Sequence, residues 1–160
     1  MTNHQPLSHT ALNQEERIDF WAIVAAKSFK RSLIKRIKNL KIPLSFEMYL
    51  LINALWQQDG QSRKTLGLLL RKTPRNISDI ANKLYQRELI SVVKVKKETH
   101  YYLTPQGRSI QTQISQSSIA VMDKALKNIS ADDREICVAV LKRMFLNLEL
   151  DELKEAKKAS

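Results

Sequence analysis

One cysteine in 160 residues leaves no partner for an intrachain disulfide and too few thiols for a cysteine-based zinc cluster. Three glycines and four prolines supply little loop material, so a mostly helical chain is expected. No uninterrupted apolar run approaches the roughly 20 residues of a membrane span, and no membrane partner is expected. The N-terminus lacks a basic-then-apolar signal pattern, which makes the cytoplasm the expected location. Also missing are a glycine-rich phosphate loop, a His-Glu-x-x-His pair and a Gly-x-Ser-x-Gly turn. Of the three histidines, His4 and His9 stand in a polar N-terminal tail and His100 in a strand-like run, none amid the helices as a candidate base. An enzyme is therefore not expected, nor a cofactor or a bound metal.

Acid is the scarcer sign: 16 Asp and Glu stand against 27 Lys and Arg, a net charge of +11. The excess is not spread evenly. Residues 60–110 hold eleven basic and three acidic side chains, whereas residues 1–59 hold eight and five, and residues 111–160 eight and eight. A chain that is basic only for solubility would spread its charge. Concentration in under a third of the length is the electrostatic footprint of phosphate binding.

What that third contains is a pattern. From Ser62 to Gly107 the sequence reads as a short helix, a tight turn, a second helix, two strands joined by a basic turn, and a new helix start. At 100° per residue from Thr73 to Glu88, Ile77, Ile80, Ala81 and Leu84 form a core-facing stripe. Arg75, Asp79, Asn82 and Gln86 fall opposite, with Asn76, Ser78 and Lys83 on the flanks. Arg makes paired hydrogen bonds to guanine, and Asn or Gln to adenine. Asp79, one turn from Arg75, is placed to orient it, the other reading being a routine surface pair. Leu89 to Val95 and Thr99 to Leu103 then read as a hairpin around Lys96-Lys97-Glu98, and a hairpin after a helix-turn-helix is a wing. Thr73 with this helix face is the expected base-reading set. Ser62, Arg63 and Lys64 at the first helix, Lys94, Lys96 and Lys97 on the wing, and His100 on its returning strand are the expected phosphate contacts.

Residues 1–12 read as a flexible tail. Asn13 with Glu16 is a capping box opening an N-terminal helix within residues 13–42. Its stripe runs Ile18, Trp21, Ala25, Phe29, Leu33, Ile37, Leu40, and Lys27, Lys30, Arg31, Lys35, Arg36 and Lys38 decorate the rest as a solvated face. The winged helix-turn-helix spans 43–107. Ser45 caps a helix from Phe46 to Gln58, Ser62 caps one in which Leu66, Leu69 and Leu70 pack inward, and Thr73-Pro74 starts the reading helix. Thr104-Pro105 launches one helix to about Lys127, and Ser130 with Asp133 opens the last. Residues 108–150 are expected to pair subunits and 151–160 to form a charged tail. Ile136 to Leu141 is apolar all round and enfolds Cys137, which is read as buried and inert. Such a helix needs a covering surface, and the simplest is a second copy of the chain. Ile18, Ile136, Val140, Leu141, Met144, Phe145 and Leu148 are the expected contacts between copies.

Residues 44 to about 148 resemble the MarR family of bacterial transcription regulators. The element order matches, as do Leu44-Ser45, the capped Ser62 before Leu66, Ile77 to Leu84, Leu89-Ile90, and Leu103-Thr104-Pro105-Gln106-Gly107. The resemblance implies a winged helix-turn-helix with N- and C-terminal dimerisation helices. It implies a homodimeric regulator, commonly a repressor, that reads a palindrome in double-stranded DNA. It further implies release by a small aromatic or phenolic effector, bound near Trp21, Val24, Tyr49, Asn53 and Trp56; ordinary core is the favoured reading of the same five, since such stripes are usually core. The chain departs from the family at Glu88, where glycine is usual, at Val92, where arginine is common, and in a short wing without the Asp-x-Arg signature. Those departures keep a second reading open: a replication, plasmid-maintenance or protein-contact module without an inducer.

Overall fold

The computed structural model describes the backbone of residues 17–158 and the side chains of residues 17–149. In order, the elements are α1 (Ile18–Asn39), α2 (Phe46–Gln57), β1 (Gln61–Ser62), α3 (Arg63–Leu70) and α4 (Pro74–Tyr85). They continue with β2 (Ile90–Val95), β3 (Glu98–Leu103), α5 (Pro105–Ser109), α6 (Gln111–Ala125) and α7 (Ala131–Lys158). This is the expected mainly helical chain with a small β wing. It forms two compact units, one running to Met122 and one from Asp123 onward. Among the described residues no helix is long and apolar enough to cross a membrane. The candidate capping box at Asn13 and Glu16, like His4 and His9, lies outside the described residues.

Five helices begin where a local signal starts them. The side-chain oxygens of Ser45, Ser62, Thr73, Thr104 and Ser130 accept from the backbone N–H three residues on, at 3.0 to 3.2 Å. Each such cap satisfies a donor that the helix cannot, and contributes about 1 kcal/mol. Pro74 and Pro105 follow their caps directly, where a missing N–H costs nothing.

The helix ends are less conventional. With so few glycines, charged residues take the left-handed conformation. Glu88 does so at φ 58°, Arg71 at 51° and Lys41 at 60°. After α4 the Leu89 N–H reaches the Leu84 carbonyl at 3.1 Å and the Glu88 N–H reaches that of Tyr85 at 2.8 Å. That is the paired-bond termination usually built on glycine, and the buried Leu84 and Leu89 supply its apolar contact. The same two bonds close α3, from Lys72 to Gly67 and from Arg71 to Leu68.

The sheet is antiparallel in the order β1-β3-β2. Val95 opposite Glu98 leaves Lys96 and Lys97 as a two-residue turn, with Lys96 at φ 54°. Asp59 anchors the base of the hairpin: it accepts from the N–H of Gly60 and of Leu103 and pairs with Arg108. In the core Leu33 and Ile37 of α1 join Leu51, Ile52 and Leu55 of α2, Leu66, Ile77, Leu84, Ile90 and Ile114. Lys30 ties α1 to α2, its ammonium 3.1 Å from Glu47 and 5.0 Å above the Phe46 ring. The residue's own backbone N–H, and then Lys30, hold the Glu47 carboxyl below the usual carboxylate range against the opposing effect of burial.

Several expectations need correction. β1 is a two-residue strand with no periodicity to announce it. The helix expected from Pro105 onward breaks at Ile110 into α5 and α6. Leu69 is 59% exposed, whereas Leu66 is buried and Leu70 half-buried. Of the α1 stripe only Leu33 and Ile37 are buried; Ile18, Trp21 and Leu40 are exposed. Cys137 is exposed in the single chain, as are Ile136, Val138, Val140 and Leu141 around it. The last helix continues to Lys158, with no boundary at residue 151.

The junction of α4 with α5 generates two predictions. A Cβ on Gly107 would lie inside van der Waals contact of the Leu89 carbonyl, which is backbone and cannot swing away. Gly107→Ala is therefore expected to cost about 1–3 kcal/mol in a denaturant titration, toward the upper end. Glu88→Gly should instead stabilise by about 0.5–1 kcal/mol, since a left-handed β-carbon is relieved. Glu88→Ala should leave the midpoint unchanged; an equal gain from alanine would locate the effect in the carboxylate.

Candidate nucleic-acid interface

The candidate site is built on α4. Ile77, Ile80, Ala81 and Leu84 are buried against the lobe, and full burial of Ile77 or Leu84 contributes about 1.5–3 kcal/mol each. That anchoring fixes the rotation of the helix about its axis. Arg75, Asn76, Asp79, Asn82, Lys83 and Gln86 are all exposed. Ser78 is half-buried, and its hydroxyl donates to the Pro74 carbonyl at 3.0 Å. Thr73 is occupied as the cap. Arg75 and Asp79 share the outer face, but among the described residues no ion pair joins them, so the expected orienting contact is not pre-formed.

Around this face stand exposed cations. Arg63 and Lys64 open α3, Lys94 lies on β2, and Lys96 with Lys97 forms the wing tip. Two of the expected contacts have polar atoms already engaged within the lobe. Ser62 is buried, its hydroxyl capping α3 and lying 3.0 Å from that of Thr65. His100 is half-buried and turned to the β1 edge, with Nδ1 3.0 Å from the Gly60 carbonyl oxygen. A carbonyl only accepts, so the imidazole must donate from Nδ1, and that nitrogen is closed to an outside ligand. Reading by helix face missed Arg71 and Lys72. The left-handed Arg71 carries its exposed side chain in the α3–α4 turn; the basic pair between two helical patterns was the available signal.

Of the five residues expected at an effector crevice, two have their polar atoms engaged within the chain. The Tyr49 hydroxyl is 3.3 Å from Ser118 Oγ, and Trp56 donates its indole N–H to the Gly107 carbonyl at 3.0 Å. Val24 and Asn53 are half-buried, and Trp21 is 52% exposed with its ring edge-on to Phe20. An open cavity of about 810 Å³ lies farther along α1, beside the first turn of α2, and none of the five lines it.

The sequence itself matches no protein-family model and no curated protein. Solved structures do match in shape. A MarR-family regulator from Silicibacter pomeroyi superposes with a TM-score of 0.72 at 22% identity, over 84% of this chain and 92% of that one. One from Methanosarcina mazei gives 0.75 at 15% identity, over 88% and 95%. The fold is that of the MarR regulators. Another protein of similar fold, BpsR of Bordetella bronchiseptica, has its DNA binding regulated by 6-hydroxynicotinic acid; it matches with a TM-score of 0.70 at 16% identity, over 82% and 96%. The MarR-type fold accounts for the element order, with α4 in the position of the reading helix and β2–β3 as the wing.

Proposed function

We propose that this protein is a sequence-specific regulator of transcription, a repressor, that binds a palindrome in duplex DNA as a homodimer. The observation that carries the reading is the division of α4. Its apolar face is wholly buried, and its opposite face presents Arg75, Asn76, Asn82 and Gln86 within the most basic third of the chain. These side chains suit base edges in the major groove, and Arg63, Lys64, Lys94, Lys96 and Lys97 suit phosphates. A dimer would set two α4 helices about one helical turn apart on the duplex. α7 supports the dimer: in the single chain Ile136 is 61% and Leu148 68% exposed, with Val140, Leu141 and Phe145 exposed between them. A helix apolar on all sides calls for a second covering surface.

A second reading has one observation in its favour. Leu68 and Leu69 stand exposed side by side on α3, and an apolar pair there suits protein contact better than phosphate. Selection of bound sites from random duplexes at fixed salt decides between the two. Recovery of a palindrome supports the regulator, and recovery of no preferred sequence supports the protein-contact module.

Arg75→Ala should cost about 1–3 kcal/mol of specific affinity and relax selectivity at one base pair, while Lys96→Ala should weaken all duplexes alike and flatten the salt dependence. Equal loss on specific and random DNA would remove Arg75 from the base-reading set. In sedimentation the protein should run at about twice its 18.5 kDa chain mass. Leu141→Asp with Phe145→Asp should halve that mass; an unchanged dimer would move the interface elsewhere.

A further inference from the structure

The outer side of α3 carries leucine where a solvated helix would carry polar residues. Leu68 is 65% and Leu69 59% exposed, more than any other large apolar side chain between residues 44 and 107. The other aliphatic side chains that are more than half exposed stand on α1, α6 and α7, the helices expected to pair copies. α3 is not among those. Nor is it a loose segment. Leu66 is fully buried, Ser62 caps the start, and the Lys72 N–H closes the end on the Gly67 carbonyl. The leucine pair is therefore held outward by the same contacts that fix the helix.

Charge of one sign brackets the pair. Between Asp59 and Asp79 the chain holds five Lys and Arg and no acid. Arg63 and Lys64 open α3, and Arg71 and Lys72 follow its last turn. Lys64 precedes Leu68 by four residues, so the two share one side of the helix. Among the described residues no carboxylate pairs with Arg63 or Lys64. The nearby acids are committed elsewhere. Asp59 holds Arg108 and the Gly60 and Leu103 N–H groups, and Glu47, which Lys72 also helps to keep ionised, pairs with Lys30. An apolar centre with a charged rim is the anatomy of a protein contact, and here the whole rim is positive.

We propose that the outer face of α3 docks an acidic amphipathic segment of a partner protein, with apolar anchors on Leu68 and Leu69 and carboxylates toward Arg63, Lys64 and Lys72. Charge complementarity selects this occupant. A second copy of α3 would set cation against cation. A duplex backbone would answer the cations but has nothing apolar to lay on two leucines. A neutral apolar helix would cover the leucines and leave the rim unanswered. The contact stands whether or not α4 reads DNA, and its test needs no operator.

The probe is a synthetic peptide of about 14 residues repeating Glu-Leu-Glu-Asp-Leu-Phe-Glu, which places its apolar positions on one helix face. It is titrated into the full-length protein by calorimetry and followed by amide NMR shifts. Saturable binding is expected, with shifts centred on residues 62–73. Two control peptides, one with Ser for every Leu and Phe and one with Gln for every acid, should each bind at least about tenfold more weakly. Leu68→Ala with Leu69→Ala should weaken the acidic peptide by a similar factor, since alanine keeps the helix and removes the anchors. That variant should hold its circular dichroism and its affinity for duplex DNA. Arg63→Gln with Lys64→Gln should weaken the peptide through the rim while the leucines remain. Absence of saturation by about 5 mM, equal binding of the Ser-substituted peptide, or shifts centred on α1 or α4 each overturns the proposal. So does a leucine variant that loses duplex affinity in step with the peptide. So, too, does leucine-dependent binding to phosphatidylcholine vesicles holding about one-third phosphatidylglycerol, since the face would then belong to a lipid surface.

Discussion

Everything the outer face of α4 presents depends on how that helix is locked about its own axis. Four apolar side chains within eight residues, Ile77, Ile80, Ala81 and Leu84, are buried. A helix so anchored cannot rotate without exposing isoleucine and leucine to water. The outward direction of Arg75, Asn82 and Gln86 is thus a consequence of burial on the other side, not of any contact those residues make. The start of the helix is fixed as firmly by the Thr73 cap and Pro74, so the origin of the outer face is set at the first turn and its azimuth by the stripe that follows.

The far end of α4 is where the shortage of glycine is felt. A left-handed residue is required to turn the chain from α4 into β2, and Glu88 supplies it against its own steric preference. The strain persists because the junction is over-determined. Thr104 donates its hydroxyl to the Glu88 carbonyl, the Thr104 N–H bonds to the Leu89 carbonyl, and Gly107 packs directly on Leu89. Trp56 then reaches across from α2 to the Gly107 carbonyl. The one position where the chain keeps glycine in this junction is the one where a side chain would have no room.

Much of this was legible in the sequence, and the reason is locality. Caps at Ser45, Ser62, Thr73, Thr104 and Ser130 act over three residues, and the stripe of α4 over two turns, so the pattern carries them. What escaped depends on distant neighbours or on geometry below the period. Gln61 and Ser62 form a strand only because Tyr101 and His100 come alongside. Leu69 had an apolar identity, yet it stands exposed on α3. Tyr49 and Trp56 had the composition of a ligand site, yet their polar atoms are committed to Ser118 and Gly107. Cys137 took its expected burial from the run around it, and a single chain does not supply the cover that the run demands.

On the proposed function, the charge chemistry of the wing bears on where selectivity resides. The hairpin ends in Lys96 and Lys97, with Lys94 behind them and no arginine between Ile90 and Leu103. Lysine is a hydrated point charge, well suited to phosphates and poorly suited to the shape of a narrow minor groove, where a planar guanidinium is favoured. A wing of this kind adds affinity that falls with salt but little discrimination among sequences. The burden of discrimination then falls on the exposed face of α4, which holds the lobe's paired-bond donors and acceptors in Arg75, Asn76, Asn82 and Gln86. Because that face is rigidly indexed by the buried stripe beneath it, a chain with an undiscriminating wing can still read a defined site.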